Sequence, residues 1–284
     1  VNERYPARIQ EAILVDEIGI EIGVYRDYRL KTAYQPIFRR TGGLLTPVAV
    51  EALVAPHRKG LPVTTGELFD DIPPEDALFV ESLCRALHLH NHPNIGVPSL
   101  ELYFNFDPRA NADLDRTLAE LRHMAGWLGT SGLDPRLLVC ELSGAAELDD
   151  HTLTALTDVM RGLGIRIAVD DFGTGHSTYE RIARYRPDVV KIEGTLYRAV
   201  CSERSAARLL APLVGAIRLS GAEVLIEGIE TPAQLAIAAE VGADLVQGFL
   251  LGKPALAGTI FDETPQALGR LLAEGDDNVI RLFG

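Results

Sequence analysis

The sequence predicts an α/β barrel. Short β-rich runs recur from residue 30 onward, longer amphipathic stretches fill most of the gaps between them, and one gap is too short to hold a helix. Strand then helix, repeated, implies parallel strands, because a parallel pair needs a crossover of about a dozen residues or more. The short gap, Arg40-Thr41-Gly42-Gly43, reads as a hairpin turn and makes the first two strands antiparallel. A TIM-like (βα)8 barrel with a reversed (antiparallel) first strand satisfies all three observations, although periodicity alone also admits an open doubly wound sheet.

In chain order, the first 30 residues carry a helical pattern up to about Leu14, then Ile18, Ile20, Ile22 and Val24 at alternating positions. This segment reads as a leader packed on the barrel, a partner-binding segment, or the connection to an upstream domain. The eight strand runs are 32–38, 48–54, 100–106, 137–142, 165–169, 189–192, 224–227 and 245–247. Helical patterns occupy 67–89, 114–127, 153–163, 177–183, 206–219 and 233–241, and a surface helix is expected over 264–272. No Ser/Gly linker or low-complexity segment divides the region. The expected organisation is a helical leader or linker over 1–30, one barrel over 31–260, and a C-terminal helix and tail over 261–284.

With 284 residues, 47% of them hydrophobic and 24% charged, the chain can bury a large core, which excludes wholesale disorder. Its formal charge of -13 argues against a DNA or RNA polymer as partner, since such binding neutralises phosphates with Lys and Arg. No apolar run reaches the roughly 18 to 20 residues of a membrane-spanning helix, and no signal peptide opens the chain. Cys84, Cys140 and Cys201 are isolated, so neither a disulfide framework nor a zinc knuckle is indicated, and a cytoplasmic location is expected.

Active sites in barrels of parallel strands form at the carboxyl ends of the strands. The runs from the second onward place Glu51, Asn105, Glu141, Asp170-Asp171, Lys191, Glu227 and Gln247 at or near those ends. Any one of them reads most simply as a cap or a surface charge; their recurrence along seven consecutive runs does not. Carboxylates converging in one cleft repel unless a cation compensates them. The available donors are oxygens, without paired Cys or His, which points to one or two Mg²⁺ or Mn²⁺ ions, and Asp170-Asp171 suits a two-metal site for phosphate-ester cleavage. Lys191 would position or deprotonate water, offset charge, or serve as an ion-pair partner.

The segments Tyr34-Gln35-Pro36-Ile37, Glu51-Ala52-Leu53, Asn105, Asp170-Asp171-Phe172-Gly173-Thr174-Gly175, Lys191-Ile192, Glu227-Gly228-Ile229-Glu230 and Gln247-Gly248-Phe249 stand in the order and spacing of the EAL family. Over roughly 31–260 the chain resembles an EAL domain. The resemblance implies a barrel with a reversed first strand, often dimeric, that binds cyclic di-GMP and, in active members, hydrolyses it to the linear dinucleotide with Mg²⁺ or Mn²⁺. It implies Glu51, Asn105, Glu141, Asp170 and Asp171 as metal ligands. Lys191, Glu227 and Asp171 would serve the hydrolytic water, and Gln35, Glu51, Leu53, Asn105 and Gln247 the substrate.

Four positions depart from the family pattern. Ala55 stands where an Arg usually contacts a substrate phosphate, so one charged contact is missing unless another cation such as Arg39 or Arg58 replaces it. Gly144 stands where a Glu usually braces the loop after the Asp-Asp pair; Asp107 replaces a common Ser, and Glu193 a common Asp. These departures keep open a catalytically weak or inactive cyclic di-GMP receptor. Away from the motifs, His88, His90 and His92, followed at once by Pro93, read as a solvated helix terminus rather than a metal site.

Overall fold

The structure, a computed structural model, describes residues 4–108, 114–131, 133–143, 148–172, 185–203 and 208–273. In chain order its strands are β1 (Ile13–Val15), β2 (Glu21–Tyr25), β3 (Tyr28–Thr41), β4 (Leu44–Arg58), β5 (Leu61–Pro62), β6 (Glu101–Phe106), β7 (Leu138–Leu142), β8 (Arg166–Phe172), β9 (Val189–Ile192), β10 (Glu223–Ile226), β11 (Leu245–Val246), β12 (Ala255–Leu256) and β13 (Gln266–Ala267). The α-helices are α1 (Arg4–Glu11), α2 (Thr65–Asp70), α3 (Pro74–Asn91), α4 (Leu114–Ser131), α5 (Asp150–Gly162), α6 (Gly194–Ser202), α7 (Leu210–Leu219), α8 (Pro232–Glu240) and α9 (Leu268–Ala273). Every strand run expected from the sequence is present; the helical pattern at 177–183 lies outside the described residues.

The barrel runs β3-β11-β10-β9-β8-β7-β6-β4 and is closed by β3 pairing with β4. β3 is antiparallel to both its neighbours, whereas β4, β6, β7, β8, β9, β10 and β11 are mutually parallel. The reversal originates in the hairpin: Thr41 pairs with Leu44, leaving Gly42 and Gly43 as the turn, and Gly42 has φ +60°, where a side chain is strained. The expected reversed first strand is therefore β3, and the open-sheet alternative is excluded by closure.

Two expected helices differ in detail. The stretch 67–89 is split into α2 and α3, because Pro73-Pro74 removes two N–H groups; Pro74 then serves as the first residue of α3. The amino-terminal helix ends at Glu11, and Ile13–Val15 instead pairs antiparallel with β2, which pairs with β3. The turn between them is fixed by the Asp16 carboxylate, which accepts from the backbone N–H groups of Ile18 and Ile20, and by Gly19 at φ +85°. At the other end, Gln266–Ala267 pairs with β4 before α9 begins.

The three histidines are not solvated. His88 and His92 are buried, His90 Nδ1 lies 2.5 Å from Glu21 Oε2, and His88 Nδ1 lies 3.0 Å from Thr32 Oγ1. Burial pushes the His88 imidazole down to about 3 and the His92 imidazole down to about 4, so both are neutral packing groups under α3.

Alternation with a period of two decides what the barrel encloses. Ile37, Ala49, Tyr103, Val139, Ala168, Val189, Leu225 and Leu245, one from each strand, form an apolar interior cluster. The intervening residues, such as Val190, Ile192, Cys140 and Leu142, pack outward under the helices. On the amino-terminal side, the positions two residues before this cluster carry charge on three strands, at Glu101, Arg166 and Glu223, and Arg39 joins them from reversed β3. Arg166 bridges Glu101 at 2.6 Å and Glu223 at 2.9 Å, and Arg39 pairs with Glu223. The carboxyl-terminal side carries the polar residues that the sequence places at the strand ends. Gly248 limits how that side closes, since a Cβ there would lie 2.0 Å from the Ile229 carbonyl oxygen. Gly248→Ala is expected to lower stability by about 3 kcal/mol through backbone displacement; an unchanged denaturation midpoint would refute this packing.

Candidate active site

Two residues beyond the apolar cluster, each strand again points inward, and those positions are Glu51, Asn105, Glu141, Asp170, Lys191, Glu227 and Gln247, with Gln35 on reversed β3. The rim is thus the next inward layer of the barrel. Lys191 lies at its centre. Its Nζ is 2.6 Å from Glu141 Oε1, 2.7 Å from Glu227 Oε1, 3.5 Å from Glu51 Oε1 and 3.8 Å from Asp170 Oδ1. Lys191 is 1% exposed and Glu141 is fully buried, so these charges interact in a region where water screens little.

Glu51 is held from its other side by Gln247, whose Nε2 donates to Oε2 at 2.8 Å. Gln35 pairs in register with Glu51, but its amide donates to the Gly252 carbonyl at 3.0 Å. Asn105 pairs in register with Glu141 and accepts from Ser143 Oγ at 3.2 Å. Glu227 closes β10, its N–H donating to the Ile192 carbonyl at 3.2 Å. Leu53 and Asn105 line a cleft of about 550 Å³ beside the rim. The backbone of Asp171 continues β8, while its side chain, like Gly144, lies outside the described residues. Glu193 acts locally: its carboxylate accepts from the Leu196 N–H at 2.8 Å and caps α6.

The electrostatics follow from four carboxylates facing one ammonium. Burial alone would push the Lys191 ammonium down, yet Glu141, Glu227, Glu51 and Asp170 outweigh it and hold Lys191 charged, above the usual lysine range. Burial pushes Glu141 well above the ordinary carboxylate range, with Lys191 opposing and the neighbouring acids reinforcing. The same balance pushes Glu227 up to about 7. Neither oxygen of Glu141 has a hydrogen-bond donor with acceptable geometry, although Lys191 Nζ is in ionic contact with one of them.

That donor set fits a divalent cation. Four formal negative charges against one positive leave three uncompensated, the donors are hard oxygens, and Glu141 presents an oxygen that no described group satisfies. Among the described residues, no three His, Cys, Asp or Glu side chains already form a metal cage; Lys191 separates the carboxylates.

Two expectations about cations fail. Arg58 pairs with Asp27 at 2.7 Å and Asp71 at 2.9 Å, and Arg39 lies in the ionic layer at the opposite end of the barrel. Neither takes the place of the Arg missing at Ala55. The cation that does line the cleft is Arg85 of α3. Its sequence signal was weak: a single basic residue between Leu83 and Leu87 on a helix most of whose length is buried.

The EAL domain family model matches residues 22–254. The chain belongs to the EAL domain family. Over 243 residues it is 27% identical to the cyclic di-GMP phosphodiesterase NbdA of Pseudomonas aeruginosa, covering 81% of this chain and 29% of that protein. Over 91 residues it is 34% identical to the probable cyclic di-GMP phosphodiesterase PdeA of Escherichia coli, covering 32% of this chain and 12% of that protein. The chain therefore spans less than a third of either relative's length. Among solved structures it superimposes on Bacillus subtilis YkuI, a protein with an EAL domain in complex with substrate c-di-GMP and calcium. The TM-score is 0.70 at 25% identity, over 87% of this chain and 60% of that one.

Lys191→Met tests the electrostatic account. Removing one partner of a buried ion pair costs about 3–5 kcal/mol, because Glu141 is left uncompensated. Without the ammonium the folded-state carboxyls of Glu141 and Glu227 rise further above their unfolded values, so the variant is most stable below the unfolded carboxylate pKa and loses stability as pH rises. Urea denaturation of metal-free protein should show a deficit at pH 7 that narrows toward pH 5; a deficit independent of pH would contradict the assignment.

Proposed function

We propose that this domain is a divalent-metal-dependent phosphodiesterase that hydrolyses cyclic di-GMP to the linear dinucleotide. The observation that carries the reading is the ring of inward carboxylates around buried Lys191, in a chain of the EAL domain family. Glu51, Asn105, Glu141, Asp170 and Asp171 would hold one or two Mg²⁺ or Mn²⁺ ions. When bound, such a metal lowers the pKa of water and neutralises charge on the scissile phosphate.

The chain's own groups account for the rest. Glu227, pushed up to about 7 in the metal-free site, would be held as the carboxylate once a cation is bound and would then take a proton from the attacking water. Lys191 stays charged, orients Glu227 through their 2.7 Å contact, and offsets negative charge as the phosphorus–oxygen bond to the leaving group breaks. Gln247 fixes Glu51, Leu53 and Asn105 line the cleft in which substrate would be held, and Gln35, in register with Glu51, would contribute from the rim. The water oxygen bonds to phosphorus as the bond to the sugar oxygen breaks, the leaving oxygen takes a proton from solvent, and the ring opens.

A second reading, a receptor that holds cyclic di-GMP with little or no turnover, draws support from Ala55. With Arg39 and Arg58 committed elsewhere, the phosphate contact is not replaced by either. The family resemblance also supports a homodimer, which sedimentation at several concentrations checks, and the isolated Cys84, Cys140 and Cys201 support a cytoplasmic location; among the described residues, no helix is long and apolar enough to cross a membrane.

Incubation with cyclic di-GMP and Mn²⁺, followed by chromatography, should yield linear dinucleotide. Glu51→Ala should lower turnover at least about 100-fold while nucleotide binding persists in weakened form. Binding without product by the parent chain would favour the receptor, and unchanged turnover in Glu51→Ala would remove this residue from the machinery.

A further inference from the structure

The hairpin of β3 and β4 outruns the barrel. β4 pairs with β6 only over Ala49–Glu51, whereas β3 and β4 stay paired as far as Tyr28 opposite Arg58, so beyond Glu51 the two strands form a ribbon that stands above the rim. One face of this ribbon packs on α3: Leu30 is buried with Leu83 and Leu87, Thr32 Oγ1 lies 3.0 Å from His88 Nδ1, and the Tyr34 hydroxyl donates to the His88 carbonyl at 2.7 Å. The opposite face continues the inward series of Ile37 and Gln35 and carries the register pairs Ala33–Leu53, Lys31–Ala55 and Arg29–His57. Above Glu51 that face turns basic, with no carboxylate on either strand.

Lys31 differs from the other cations near the site. Arg85 donates to Ser82, Arg58 is paired with Asp27 and Asp71, Arg29 donates to the Tyr28 carbonyl, and Lys253 lies over the Phe249 ring. Lys31 is half-buried and has no ion pair or hydrogen bond among the described residues. Withdrawing an ammonium from water without a partner costs free energy that nothing in the chain offsets. Residues directly opposite in an antiparallel pair have Cβ atoms about 4.5–5.5 Å apart, so the four-carbon stem of Lys31 can lean over the methyl group of Ala55, where no larger side chain competes for the space. Ala33, Leu53 and Ala55 line the cleft, which brings the ammonium to its upper edge.

The ligand chemistry follows from charge. Cyclic di-GMP holds two phosphodiesters in one ring, and only one of them can lie among the carboxylates around Lys191. The other is equally anionic and, in a cleft with a largely apolar lining, requires a cation. We propose that Lys31 holds this second, unreacting phosphate from its place across the strand pair from Ala55. The inference rests on the cyclic di-GMP reading and deepens it.

Calorimetric titration of the full chain with cyclic di-GMP in Ca²⁺ tests it. Lys31→Met should lose about tenfold or more in affinity, as expected for one charge-assisted contact. Lys59→Met removes the same charge from the exposed turn after β4 and should bind as the parent does. Moving the ammonium across the strand pair, in the double variant Lys31→Ala, Ala55→Lys, should restore binding. In turnover assays with Mn²⁺, the Lys31→Met loss should fall on KM with kcat unchanged, because the contact is made equally in the ground and transition states. An unchanged affinity in folded Lys31→Met, an equal loss in Lys59→Met, or a double variant as weak as Lys31→Met overturns the inference and leaves the phosphodiesterase reading standing. A fall in kcat without a rise in KM moves Lys31 to the reacting phosphate and also overturns it. Failure of the parent chain to bind cyclic di-GMP overturns the functional reading itself, and the role of Lys31 with it.

Discussion

A single buried ammonium among four carboxylates is the constraint around which the carboxyl-terminal half of the barrel is organised. Lys191 touches Glu141 and Glu227 directly and reaches Glu51 and Asp170, so five strands, β4, β7, β8, β9 and β10, converge on one charge. The arrangement is under-compensated by design of its stoichiometry. Such a cluster is stable in three ways only: by taking up protons, by taking up a cation, or by spreading apart. The packing beneath it, with Val139, Ala168, Val189 and Leu225 buried in contact, opposes the third.

The barrel interior therefore alternates in character along its axis. Arg166, Ala168 and Asp170 on β8 show the pattern within one strand, as do Glu223 and Leu225 on β10 with Glu227 just beyond it: charge, then apolar contact, then charge. The two charged layers differ in balance. At the amino-terminal end, Arg39 and Arg166 match Glu101 and Glu223, two charges against two. At the carboxyl-terminal end the count is one against four. A matched layer reads as a structural plug, and an unmatched one as a site that waits for a ligand of opposite charge.

Much of this was legible in the sequence. The strand runs end on Glu141, Glu227 and Gln247, and the short gap at Gly42-Gly43 announced the reversed strand. What the sequence did not disclose depended on contacts between distant segments. The residues of the amino-terminal ionic layer looked like ordinary charges on strands, so nothing in the sequence showed that Arg39 lies at the opposite end of the barrel from Ala55. The histidines of α3 looked solvated because a helix terminus before Pro93 is usually exposed; burial against β2 and β3 overrides that tendency, with His90 meeting Glu21 and His88 meeting Thr32. Arg85 was hidden for the same reason, since nothing local marks a helical Arg as part of a cleft.

Proton and metal are thus rivals for the same negative charge, and the catalytic proposal depends on that competition. Carboxyl-carbon NMR titration of Glu227 in metal-free protein, repeated with saturating Mg²⁺, measures it at the residue that matters. The account predicts a titration near pH 7 without metal, where Glu227 is pushed up to about 7, and a fall toward the ordinary carboxylate range once Mg²⁺ is present. A Glu227 that titrates in the ordinary range without metal, and does not move when Mg²⁺ is added, would contradict it.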